Sequence, residues 1–478
     1  MHLSRRSLLA GAAAAGAFAA APDVFANETP WSLGVENAPA EGFPQAPMRL
    51  IHGRSPRGLE GVLFRNGPGW FRYPGSATGH WFDGDGFIQR FAIADGRARH
   101  SARFADTNKR RIETARQQIV MPGFGTRGQP SAPVNNADSL NAANTSVMMA
   151  GAELWALWEG GSPTQLDPAT LQTVGLRTLR PDLAHMPFTA HPKVEPNGRI
   201  WNVGFYGQRG VIWRLSADGG VEDAHVLDIG QPSYVHDWAV SARHLIIPLQ
   251  PWLHERTVAP LVEGYVWRPD LPFRVMVLEK DNLANRRIYE LPAMFFFHTG
   301  DAWEDAAGAI HFDLCVTPDA DFVTRQAREM ISGPELNAPG AELVMATLHP
   351  DGRAELARSG HRGEFPQTDR RRQGNRRELV AMVDDNIGHA LGVMNWRTGA
   401  FAAHDFGAHQ MVQEHLFAPK PGRSGEHEAW LIGVTLNTRE RATELHVFDA
   451  AGVGDGPVAS WRSPYATPYG FHGTWAAA

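Results

Sequence analysis

The chain has 478 residues, 43% hydrophobic and 20% charged, enough apolar mass for a large core in one domain. Its formal net charge of −6 excludes a dedicated nucleic-acid binder, which needs a basic face to neutralise phosphates. The single cysteine, Cys315, excludes an intrachain disulfide and a cysteine-based zinc site, whereas 21 histidines supply ample imidazole for another kind of metal centre.

Residues 1–26 read as a cleaved export signal. Paired arginines in Ser4-Arg5-Arg6-Ser7-Leu8-Leu9 precede a small, apolar, uncharged run from Ala10 to Ala21, and Val24-Phe25-Ala26 offers a small-x-small cleavage site. Arginine pairs before a weakly hydrophobic stretch resemble a twin-arginine signal, which exports folded proteins to the periplasm; an ordinary secretory signal is the alternative. The run is too short to anchor the chain, and no other stretch is long and apolar enough to span a membrane. A soluble or peripheral mature protein over 27–478 is expected.

Glycine (49) and proline (34) are plentiful, as many turns and short strands require. A similar turn recurs seven times between apolar alternating segments: at Asp95-Gly96, Asp167-Pro168, Asp218-Gly219, Lys280-Asp281, Asp351-Gly352, Thr398-Gly399 and Asp449 to Gly452. Such residues tolerate the positive φ of hairpin turns. Flanking stretches such as Arg199 to Phe205 and Val211 to Leu215 are rich in β-branched and aromatic residues. One hairpin per four-stranded unit predicts an all-β, seven-bladed propeller, with a sandwich or barrel as the alternative. Thr107 to Gln118 and Phe322 to Ser332 are short helices or loops, and Met121 to Asp138 is a long loop capping one face. No linker divides the chain, so 27–478 is read as one domain.

Four histidines sit at or near the start of apolar or aromatic strands: His191 in Phe188-Thr189-Ala190-His191, His236 in Ser233-Tyr234-Val235-His236, His298 in Phe295-Phe296-Phe297-His298, and His472 in Gly470-Phe471-His472-Gly473. Inner strands of a propeller face one axis, where such residues would converge and could hold iron, copper or zinc. Each alone reads more readily as a satisfied core histidine than as a ligand; the repeated context is what raises the set. Glu159, Glu364 and Glu414 lie in apolar or turn contexts where a free charge is costly. A metal-bound histidine usually gives its other ring N–H to a carboxylate, the role these glutamates would fill; a salt-bridged surface glutamate is the plain alternative.

Ordered motifs from Gly61 to Trp475 resemble the carotenoid cleavage oxygenase family, which includes stilbene-cleaving and retinoid-processing members. They are Phe64-Arg65-Asn66-Gly67-Pro68, His80-Trp81-Phe82-Asp83-Gly84-Asp85-Gly86, Asn144-Thr145-Ser146-Val147, Leu157-Trp158-Glu159-Gly160-Gly161, Ala190-His191-Pro192-Lys193, Val235-His236-Asp237, His298, Glu364-Phe365-Pro366, Glu414-His415-Leu416-Phe417 and Gly470-Phe471-His472-Gly473. The resemblance implies a seven-bladed propeller with a loop and helix cap. It implies one Fe(2+) held by His191, His236, His298 and His472, with Glu159, Glu364 and Glu414 orienting the last three. It implies O2 as co-substrate, and an apolar tunnel that lays a polyene beside the metal and yields two carbonyl products.

Departures bear on the substrate. Gly300-Asp301 follows the third histidine where the family often has Asn-Ala, and Glu426-His427-Glu428 replaces a more acidic stretch. Stilbene-cleaving members grip a phenol oxygen with a tyrosine and a lysine; the loosely aligned positions here are Phe104 and Leu140, both apolar. This favours a carotenoid or apocarotenoid over a stilbene or other phenylpropanoid. Isomerohydrolase chemistry and a non-catalytic binding propeller are further alternatives. Asp83-Gly84-Asp85-Gly86 lacks the ligand set of a calcium loop and reads as a structural turn near the substrate entrance. The basic stretch Arg370 to Arg377 reads as a solvated or salt-bridged loop rather than a lipid contact. Because carotenoids reside in membranes, peripheral membrane contact is a hypothesis that liposome flotation tests.

Overall fold

The computed structural model describes residues 30–332, 340–384 and 389–478. The predicted export signal over 1–26 lies outside them. The described chain is mostly β with few helices, and every strand pairing is antiparallel.

Strands join in chain order into four-stranded ladders. Three run Ser146–Ala150 to Thr173–Leu176, Lys193–Val194 to Val221–Asp228, and Ala239–Val240 to Asn282–Leu291. A larger sheet holds two more ladders, Phe295–Glu304 onward and Leu379–Asp384 onward, which share the 14-residue strand Ala354–Gln367. The ladder Gln410–Pro419 to Ala459–Arg462 gains Arg49–Gly53 at its edge. In the remaining ladder the strand Gly473–Ala477 pairs with Gly61–Arg65, so segments more than 400 residues apart in the chain share one sheet. Each of the seven turns read from the sequence joins the third and fourth strands of its ladder. Asp95 and Gly96, with φ of 50° and 72°, make a two-residue turn of the kind that needs positive φ.

Burial explains the stacking. Ala429–Asn437 is buried at all nine positions, so both its faces are covered, whereas the outer strand Val221–Asp228 is largely open to solvent. The core lies between successive sheets. Val203 and Ile212 pack on Leu245 and Ile247; Val275 and Val277 pack on Phe296 and Leu314. Leu416 and Ile432 of the last sheet pack on Leu63 and Phe91 of the first. Roughly 25 cal/mol per Å² of buried apolar surface makes these faces the main source of cohesion.

Both predicted helical segments are present. Asn108–Arg116 is helical, with the Thr107 side chain accepting a hydrogen bond from the Arg110 backbone N–H. Phe322–Gln326 forms a π-turn that continues as the helix Ala327–Ser332. Residues 121–136 form no strand or helix. Among the described residues no helix is long and apolar enough to cross a membrane.

Candidate metal centre

The first strands of four ladders each carry one histidine at or near the N-terminal end, and these meet in one place. His191, His236 and His472 stand just ahead of Lys193–Val194, Ala239–Val240 and Gly473–Ala477, and His298 lies within Phe295–Glu304. Each of the four offers a ligand atom, and these atoms all lie within 4.8 Å of one another. Metal–imidazole bonds of roughly 2.1 Å put opposed nitrogens about 4.2 Å apart, so the cluster has the size of a single ion's shell.

The three glutamates surround it. His236 Nδ1 lies 2.6 Å from Glu159 Oε2, His298 Nδ1 lies 2.6 Å from Glu364 Oε2, and His472 Nδ1 lies 2.9 Å from Glu414 Oε1. An Nδ1–H given to a carboxylate leaves the Nε2 lone pair facing the cluster. His298 Nε2 is buried with no protein partner. His191 has no glutamate; its Nδ1 is 3.8 Å from Asp237, whose carboxylate is engaged by Lys193 and Thr299. Burial, reinforced by the neighbouring histidines, holds the His191 imidazole well below its ordinary pKa. Burial likewise takes His472 down to about 4, against the pull of Glu414. Both rings are therefore neutral, the form that ligates metals.

The glutamates are anchored differently. Glu414 accepts from Arg65 at 2.7 Å, Gln367 at 2.8 Å and the Gly473 N–H at 2.8 Å. Glu159 accepts from the Tyr234 hydroxyl at 2.8 Å, and Glu364 from the Phe365 N–H at 2.9 Å. Burial pushes the Glu414 carboxyl up, but His472 and Arg65 outweigh it and leave it lowered. Three carboxylates with one directly paired guanidinium leave excess negative charge around the cluster that a dication offsets. Four clustered imidazoles, a buried ring nitrogen with no hydrogen-bond partner among the described residues and this charge balance all fit iron or another divalent transition metal.

Two cavities meet at the cluster. One reaches His236, His298 and His472, and its wall is largely aromatic, including Trp81, Phe82, Phe124, Trp158, Phe297 and Phe365. The other reaches His191, His298 and His472 and is lined by polar groups including Lys193, Asp237, Thr299, Thr368 and Arg370.

The His80 to Gly86 motif builds the aromatic wall. His80 Nδ1 accepts from the Phe82 N–H, and its Nε2 lies 2.9 Å from the Val323 carbonyl. Asp83 accepts from the Phe124 and Gly125 N–H groups and from Thr126, which fixes Phe124 on the cavity. Asp85 is paired with Lys109 and Arg110, so both carboxylates of the motif are satisfied by protein donors. In the basic stretch, Arg371 pairs with Asp369 and Arg377 with Asp313, while Arg370 donates to Thr474 and the Gly473 carbonyl. Asp301 accepts from the Gly374 N–H and from Gln373, tying that stretch to the third histidine's strand. A side chain at Gly300 would place its Cβ 2.2 Å from Asp313, which explains the glycine. Glu426 accepts from the Glu378 and Leu379 N–H groups.

One expectation is corrected. Phe104 and Leu140 do not line the aromatic cavity: Phe104 packs with Phe87 under the Arg110 guanidinium, and Leu140 ends a turn. Their apolar character therefore carries no information about the substrate. Sequence reasoning also gave no role to Arg65, Tyr234 or Gln367. Arg65 stood in a quoted motif, and Tyr234 lies two residues before His236, but neither position signals a glutamate partner far away in the chain.

Comparison with known proteins completes the picture. Residues 37–477 match the family described as RPE65, retinal pigment epithelial membrane protein. An apocarotenoid-15,15'-oxygenase of Synechocystis sp. is 26% identical over 465 residues, covering 89% of this chain and 92% of that protein. A resveratrol cleavage oxygenase 1 of Aspergillus fumigatus is 26% identical over 460 residues, covering 89% and 91%. A solved Synechocystis apocarotenoid oxygenase structure aligns with a TM-score of 0.85 at 23% identity, over 94% of this chain and 98% of that one, and shares its β-propeller fold. With nearly its whole length matched, the chain belongs to the RPE65/carotenoid cleavage oxygenase family and is an enzyme of the dioxygenase type.

Proposed function

We propose that this chain is a non-haem iron(II) oxygenase that cleaves a carbon–carbon double bond of a carotenoid or apocarotenoid with O2, giving two carbonyl products. The observation that carries this reading is the four-histidine cluster, three of whose rings stand in the wall of an aromatic cavity. The scaffold is read as a seven-bladed propeller, supported by the ladders and their third-to-fourth-strand turns. Its cap is read as the segments that bring Phe82, Phe124 and Phe322 over the cluster.

Ferrous iron on His191, His236, His298 and His472 would supply the electrons that activate O2. The protein's own part is positioning and exclusion of water. Glu159, Glu364 and Glu414 hold three rings in one tautomer. The aromatic wall binds a flat, apolar chain against the cluster. Among the described residues no lysine or tyrosine lines this cavity; its Asn144 and Thr317 side chains donate to backbone carbonyls, and Thr145 donates to Asn144. A phenol buried there would have no cation or tyrosine hydroxyl to meet it. That favours a hydrocarbon-like polyene over the stilbene handled by the Aspergillus relative. Incubating iron-loaded protein in air with an apocarotenoid and, separately, with resveratrol tests the choice. Two carbonyl products from the polyene alone are expected; turnover of resveratrol alone would overturn the substrate class.

A further inference from the structure

We propose that the polar cavity is the route by which the divalent metal reaches and leaves the four histidines, separate from the aromatic cavity that takes the organic substrate. This rests on reading the histidine cluster as a metal centre.

A hydrated dication cannot pass cheaply along an aromatic wall, because shedding water there gains no compensating ligand. The polar cavity offers oxygens instead. Thr299, Thr368 and Gln367 line it with side-chain oxygens that can replace hydration waters one at a time, and the Asp237 and Glu414 carboxylates, though held by protein donors, add negative charge to the same wall. Its cations do not form a barrier. Lys193 is held on Asp237 at 2.8 Å, and Arg370 donates to Thr474 at 2.9 Å and the Gly473 carbonyl at 3.1 Å, with the Glu414 carboxylate on the same cavity. Lys193 is therefore matched by Asp237, and the Arg370 guanidinium is occupied by Thr474 and the Gly473 carbonyl.

The histidines themselves distinguish the two sides. His236, tied to Glu159, lines the aromatic cavity and not the polar one; His191 lines the polar cavity and not the aromatic one. His191 is also the ring with no glutamate on Nδ1. Its side chain is 11% exposed, against 6%, 7% and 8% for His236, His298 and His472. The least tethered and most accessible ligand thus stands at the inner end of the polar cavity, where a ring can turn to admit or release an ion.

Co(II), whose visible absorption reports ligation, probes the route in metal-stripped protein. Val194→Trp and Thr368→Trp narrow the polar cavity at two independent points. Either should slow both Co(II) uptake and chelator-driven release by about tenfold or more, while the equilibrium affinity stays within about twofold, because a route changes rates and not end states. In the unaltered protein, saturating the aromatic cavity with a long apolar polyene should leave Co(II) uptake unchanged. Unaltered rates in both folded variants, or uptake blocked by the polyene, would overturn the route. Failure of the unaltered protein to bind Co(II) at all would overturn the metal-centre reading itself.

Discussion

Glu159, Glu364 and Glu414 meet their histidines alike but differ in what holds them. Glu364 has one backbone N–H on the same oxygen that meets His298, whereas Glu414 carries the buried Arg65 guanidinium. Glu364→Gln keeps the shape but weakens the acceptor, and should lower iron retention or turnover by about tenfold or more with little loss of fold stability. Glu414→Gln should add a stability loss of about 3–5 kcal/mol, because Arg65 would stay buried without its carboxylate. Iron content and denaturant unfolding separate the two; equal stability losses would contradict the difference. The residues legible in sequence are those with a local context, such as Phe297-His298 and Leu157-Trp158-Glu159. Arg65 was not legible in this role because its partner lies 349 positions away.

Three strands break register where they carry site residues. Pairing shifts between Phe296 and Thr299, between Glu364 and Gln367, and between Val412 and His415, at or around His298, Glu364 and Glu414. Such irregularities re-aim a side chain that regular pleating would send elsewhere. Next to Glu364, Phe365 adopts φ of 56°, costly for a non-glycine residue, while its ring stacks on His298 at 5.2 Å. Phe365→Gly and Phe365→Ala both remove the ring, but glycine relieves the backbone. The glycine variant should be the more stable by about 1 kcal/mol, the reverse of the usual order within a strand. Equal stabilities, or alanine the better, would show that the backbone stores no strain there. Hairpin turns such as Asp95-Gly96 were legible because a turn is specified by its own residues; these register shifts were not, because they exist only against a partner strand.

At the scale of the whole chain, seven ladder turns could be read in sequence, but which ladder packs on which could not. That order is fixed by contacts such as Leu63 with Leu416, and by the pairing of Gly61–Arg65 with Gly473–Ala477. We propose that the paired Arg5 and Arg6 belong to a twin-arginine export signal. Replacing both with lysine should keep the protein in the cytoplasm of a Gram-negative host; unchanged export would indicate the ordinary secretory route. The most direct test of the whole reading is metal analysis of protein purified without oxygen, alongside its His236→Ala/His298→Ala variant. One iron per chain, lost in the variant together with polyene cleavage, is predicted. Full activity in a preparation holding no iron, or iron retained undiminished in the variant, would contradict it.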